Sequence, residues 1–136
     1  MRTWPGKGEF QNLFEWQKVE NVSTMLNKTA DEMALNRDSE WIKEVIHEAA
    51  QMLPESIIEG QESEYLAEYI LGLSAARNAL VVASYCFRFL KGQGMIPAAQ
   101  ADSVDAKLEE LEVELASVTE TLRASLASGQ GQHSNN

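Results

Sequence analysis

Cysteine is almost missing from this 136-residue chain: Cys86 is the only one. A disulfide framework within one chain is therefore impossible, and a reducing compartment, the cytoplasm, is the expectation. Proline and glycine are scarce, at three and eight. Most of them sit near the ends or between apolar runs, which leaves room for long uninterrupted elements. No stretch reaches the roughly 18 consecutive apolar residues of a membrane span, so no membrane association is expected. The opening residues, Met1-Arg2-Thr3-Trp4-Pro5-Gly6-Lys7-Gly8, lack the apolar centre of a signal peptide. Bases are also short: 11 Lys and Arg stand against 21 Asp and Glu, for a formal net charge of −10. So acidic a surface repels phosphate backbones and anionic lipid at long range. It disfavours nucleic acid as a partner without excluding a local basic patch.

The residues present are those of a globular domain, 44% hydrophobic and 24% charged. The length suits one domain with its own core. Residues 1–9 show no periodicity and read as an arm. From Phe10 the apolar positions recur at threes and fours: Phe10, Leu13, Phe14, Trp16, Val19, Val22, Leu26, Ala30, Met33. That spacing makes one helical stripe. Asn36-Arg37-Asp38-Ser39 interrupts it, and Asp38 or Ser39 suits the cap of a second helix. The second stripe is Trp41, Ile42, Val45, Ile46, Ala49, Ala50, Leu53, Ile57. Pro54 inside it predicts a kink or a restart, and Gly60 predicts a C-terminal cap with positive φ.

Ser63 suits the cap of a third helix, whose stripe begins Leu66, Tyr69, Ile70, Leu73, Ala76. Between Ala79 and Leu90 the sequence turns apolar almost all round, more than one core-facing stripe absorbs. Val81, Val82, Tyr85, Phe87 and Phe89 are therefore expected at an interface with a second copy of the chain, since exposing them forgoes roughly 1.5–3 kcal/mol each. Pro97 opens a fourth helix. Its core line, Ala101, Val104, Leu108, Leu111, Leu115, Val118, Leu122, steps by threes and fours throughout. The polar tail 129–136 is expected to be disordered. The fold expected is all-α, an antiparallel up-and-down four-helix bundle over 10–128, with helices at about 10–35, 39–59, 63–91 and 97–127.

Chemistry is thin. Glu44-Val45-Ile46-His47 has a spacing that puts two metal ligands on one helix face, but the only other histidine is His133 in the tail, so a dinuclear site of that kind is incomplete. Cys86 lies among apolar neighbours with no base, which suits a buried or interface thiol better than a nucleophile. Tyr65 and Tyr69 stand one turn apart, as core aromatics do. The glycines at 92 and 94 follow no strand, so a phosphate loop is unsupported. Arg88 and Lys91 flank Phe89, the one place where bases and aromatics interleave as in nucleic-acid binders. They equally complement the negative end of a helix. The run Glu109-Glu110-Leu111-Glu112-Val113-Glu114 reads as a solvated face. No metal, cofactor or catalytic residue is expected.

These residues resemble a bacterial family known as four-helix bundle proteins, some of them encoded in intervening sequences of 23S ribosomal RNA genes. The likeness starts at Leu13-Phe14-Glu15-Trp16-Gln17-Lys18-Val19. It is most specific at Ala49-Ala50-Gln51-Met52-Leu53-Pro54-Glu55-Ser56-Ile57-Ile58-Glu59-Gly60, similar to the family's Ala-Ala-x-Ser-Ile-Pro-x-Asn-Ile-Ala-Glu-Gly. It continues through Tyr65-Leu66 and the central Ser74. Trp16, Pro54, Glu59, Gly60 and Ser74 are thus the family-motif positions. The chain departs from the pattern at His47-Glu48, where the family has two bases, at Ser56, where it has asparagine, and at Arg77, where it has an acid. Phe87-Arg88-Phe89-Leu90 also resembles a sister group, the accessory protein of diversity-generating retroelements, which binds reverse transcriptase and nucleic acid. Both groups form rings of five bundles.

The resemblance implies a non-enzymatic scaffold or adaptor, a homo-oligomer with five subunits favoured, with another protein as a further partner. The alternative is a nucleic-acid-binding or reverse-transcriptase accessory protein, with Arg88 and Lys91 at its contact. Against the family pattern the charges at Glu48 and Arg77 are both reversed. An ion pair between them, fixing the alignment of the second and third helices, is expected.

Overall fold

The computed structural model describes residues 15–128. They form four helices: α1 (Trp16–Glu32), α2 (Trp41–Glu62), α3 (Leu66–Gly92) and α4 (Ala98–Ala127), with a short 3-10 turn at Arg37–Ser39 before α2. The expected arm, the tail and the first-helix residues Phe10, Leu13 and Phe14 lie outside the described residues. Short connections turn each helix back along the last. Ser23 meets Ala50 and Asn27 meets His47 across α1 and α2, while Arg77 meets Glu112 and Lys91 meets Asp102 across α3 and α4. Falling numbers on one helix against rising numbers on the next mark antiparallel neighbours. The chain is an all-α four-helix bundle. α2 and α3 are the most intimate pair, and α1 and α4 meet more sparsely than α1 and α2 or α3 and α4.

The core follows the periodicities. All seven positions of the α4 line from Ala101 to Leu122 are buried, as are Val19, Val22, Leu26 and Ala30 of α1. In α2 the stripe Ile42, Ile46, Ala49, Ala50, Leu53, Ile57 goes inside, but Trp41 remains 57% exposed. α3 sits between α2 and α4, so it buries two flanks: Ala79, Leu80, Ala83, Phe87 and Leu90 all reach the interior. Part of the apolar surplus is thus absorbed within the chain. Among the described residues α3 is the helix long and apolar enough to match a membrane span by length and composition.

Three local expectations are corrected. The 3-10 turn is capped by Asn36, whose side chain accepts from the Ser39 N–H at 3.0 Å; neither Asp38 nor Ser39 caps α2. Ser63 stands ahead of α3, accepting from the Tyr65 N–H and donating to the Glu68 carboxylate. Of the kink or restart expected at Pro54, the restart is the one that does not occur: helix α2 runs without interruption through Pro54 to Glu62. The proline deprives the Ala50 carbonyl of its helical donor, and the Ser23 hydroxyl of α1 supplies one at 2.8 Å.

Gly60 lies inside α2 and does not cap it; among the described residues Gly94 is the glycine with positive φ, at 69°. Gly60 is there for proximity. A Cβ on it would stand 3.0 Å from Tyr69 Cα, and one on Gly72 would stand 2.4 Å from the Ser56 carbonyl oxygen. The two glycines let α2 and α3 approach almost backbone to backbone. The left-handed residue is needed after α3 instead. There the Gly94 N–H bonds Lys91 O at 3.0 Å and the Met95 N–H bonds Leu90 O at 2.9 Å. That pair of bonds closes the helix in a Schellman motif, and Met95 packs onto the core beside it.

Candidate association surface

Removing the buried positions from α3 leaves an apolar outer face. Leu71 is 66% exposed, Tyr85 65% and Phe89 48%. Leu71 and Tyr85 are two heptads apart and Phe89 follows one turn later, so they share a side of the helix. Val81 is exposed at one border of this face, and Val82 is half-buried. Phe87 does not belong to it. It is fully buried inside its own bundle, because its position falls on the core line Leu80, Ala83, Leu90. Leu71 was missed by the sequence reading, as were Trp41, Met52 and Ile58, the exposed apolar residues of α2. The signal for them was present: each lies beside core positions, and only the fold shows that nothing among the described residues buries it.

Four polar side chains of α3 turn towards α4. Arg77 Nε donates to Glu112 Oε2 at 2.8 Å, the Ser84 hydroxyl to Asp105 Oδ1 at 2.5 Å, and Lys91 Nζ to Asp102 Oδ1 at 2.7 Å. Arg88 meets Asp105 at 3.4 Å. Bases on α3 and acids on α4 thus form a ladder that fixes the register of this hairpin. The expected Glu48–Arg77 pair is replaced: Arg77 faces α4, Glu48 is exposed, and no ion pair joins them among the described residues. Glu112 and Glu114 are likewise not a solvated face. Glu112 binds Arg77, and Glu114 takes Lys18 of α1 at 3.4 Å on the other side of the helix. That hydrogen bond and the carboxylate charge hold the Lys18 pKa above its ordinary value.

The possible nucleic-acid contacts, Arg88 and Lys91, are therefore engaged by carboxylates. Of the family-motif positions, Trp16 packs against the core at the start of α1, Glu59 is exposed, and Ser74 is half-buried. Burial raises the pKa of the Cys86 thiol. It also raises that of the Tyr69 phenol, against a smaller opposing effect of the hydrogen bond from Gln61. His47 Nε2 donates to Asp31 Oδ1 at 2.9 Å and Nδ1 meets the Asn27 amide at 2.6 Å, so the imidazole ties α2 to α1. Among the described residues no three His, Cys, Asp or Glu side chains gather as a metal site. A groove of about 420 Å³ runs where α1 and α4 part, between Val22 and Met25 on one side and Val104 and Leu111 on the other.

The fold defines the class, a four-helix bundle with an unpartnered apolar flank. No family model, curated protein or solved structure matches the chain.

Proposed function

We propose that this protein is a non-enzymatic cytoplasmic scaffold that assembles from copies of itself, as the resemblance to the ring-forming four-helix bundle family implies, with five subunits on family grounds. The observation that carries the reading is the outer face of α3, where Leu71, Tyr85 and Phe89 stand in solvent although each would gain by burial. The reading as a nucleic-acid or reverse-transcriptase accessory protein has less support. Its two candidate cations already face Asp105 and Asp102, and the chain carries a net charge of −10. Size-exclusion chromatography with light scattering tests the proposal. The wild type elutes as an oligomer, and Tyr85→Ser with Phe89→Ser elutes smaller. A gel shift at low salt separates the two readings. Tight, salt-sensitive binding of RNA or DNA would favour the accessory role.

A further inference from the structure

The two exposed apolar faces of the bundle carry opposite electrostatic settings. No Asp or Glu occurs between Glu68 and Asp102, in a chain that has 21 of them. From Leu71 onward the outer face of α3 carries no acid of its own, although Glu68 lies exposed one turn earlier, and Arg88 stands at its edge, 65% exposed despite its long contact with Asp105. The outer face of α2 is the reverse. Trp41, Met52 and Ile58 are exposed there among Glu44, Glu48, Glu55, Glu59 and Glu62, all five exposed and none ion-paired among the described residues. The only Lys or Arg of α2, Lys43, is held by Glu40 at 3.5 Å.

Resting on the self-assembly proposed above, we infer that neighbouring copies meet through unlike faces: the outer face of α3 in one copy against the outer face of α2 in the next. Pairing α2 with α2 sets carboxylate against carboxylate. Pairing α3 with α3 buries apolar surface but brings Arg88 towards Arg88 and leaves the apolar residues of α2 uncovered. Pairing α3 with α2 covers both apolar sets at once and brings carboxylates towards Arg88, whose exposed guanidinium keeps donors beyond its 3.4 Å contact with Asp105, which adds attraction and fixes orientation. Such a contact is heterologous. Each copy offers one face and receives another, so successive contacts close into a ring or continue as a filament, and an isolated pair is not an end point.

Mixing two interface variants tests this. Trp41→Ser with Met52→Lys disables the α2 face and leaves α3 intact; Tyr85→Asp with Phe89→Asp does the opposite. All four positions are exposed, and far-UV circular dichroism confirms that each variant folds. The single changes Trp41→Ser and Tyr85→Ser serve if a double variant does not. Each variant alone should sediment as one copy, and an equimolar mixture as two copies with nothing larger, because one intact contact remains. An α2-face variant that keeps the wild-type mass would overturn the inference in favour of α3 pairing with itself. A mixture that stays at one copy would overturn it too. In both cases self-assembly itself stands, whereas wild type at one copy would remove that reading as well.

Discussion

The Ser23 hydroxyl on α1 donates to the Ala50 carbonyl on α2 at 2.8 Å, four residues before Pro54. Proline has no N–H to return to that carbonyl, so a neighbouring helix repairs the break and α2 continues. Ser23→Ala should destabilise the bundle by about 1 kcal/mol, the usual cost of a lost and partly shielded hydrogen bond. In a Pro54→Ala background the helix supplies its own donor, and the same serine change should cost much less. Urea melts of the four proteins measure the coupling; equal losses in both backgrounds would separate the two residues.

Gly60 and Gly72 differ in what a methyl group would meet. At Gly72 it would press on the Ser56 carbonyl oxygen, a backbone atom at 2.4 Å, and the helices would have to part. Gly72→Ala is expected to cost about 1–3 kcal/mol, as overpacked sites do. At Gly60 the nearest atom is 3.0 Å away, and alanine recovers up to about 1 kcal/mol of helix propensity. Crowding against Tyr69 Cα and Glu68 O works against that gain, so Gly60→Ala should cost less than Gly72→Ala. Thermal melts of the two variants should rank them in that order.

The Arg77–Glu112 contact should couple in a charge-swap cycle. Arg77→Glu and Glu112→Arg should each destabilise, and the double swap should recover much of the loss. Both side chains are 30% exposed, which limits the pair to roughly 1 kcal/mol. Glu48→Arg combined with Arg77→Glu should be additive, since Glu48 has no part in the contact.

Stability should fall on the alkaline side. The folded Lys18 pKa is raised by Glu114, so its contribution is complete below the unfolded lysine pKa and is lost as pH climbs through the folded one. The folded Tyr69 pKa is raised by burial. Above about pH 10 the unfolded chain ionises first, and folding weakens in the same direction. Tyr69→Phe should flatten part of the decline in denaturant midpoints measured between about pH 9 and 11.

The parts of the fold that were legible in the sequence are those set by periodicity. The α4 line from Ala101 to Leu122 steps evenly and is buried throughout, whereas the apolar run in α3, expected to be covered by a second copy, is covered in part by α2 and α4 of its own chain. Where one residue type serves two physical ends, the sequence misleads. Gly60 reads as a helix terminator, because an open φ and a missing Cβ are the same letter; in the bundle it is the missing Cβ that matters. Phe87 and Phe89 look alike in an all-apolar run, yet two residues along a helix is about 200°, so one points into the core and the other outward. Arg77 has acids available on two neighbouring helices, and the choice of Glu112 over Glu48 depends on a lateral angle that no spacing encodes. Trp41 begins an apolar stripe and remains outside it, a signal visible only once its surroundings are known.

The mass in solution tests self-assembly most directly. Sedimentation velocity of the wild type at micromolar concentration should give a multiple of the 15.1 kDa chain mass, falling towards one copy in Tyr85→Asp with Phe89→Asp. A wild type that sediments as a single 15.1 kDa chain under those conditions would contradict the account.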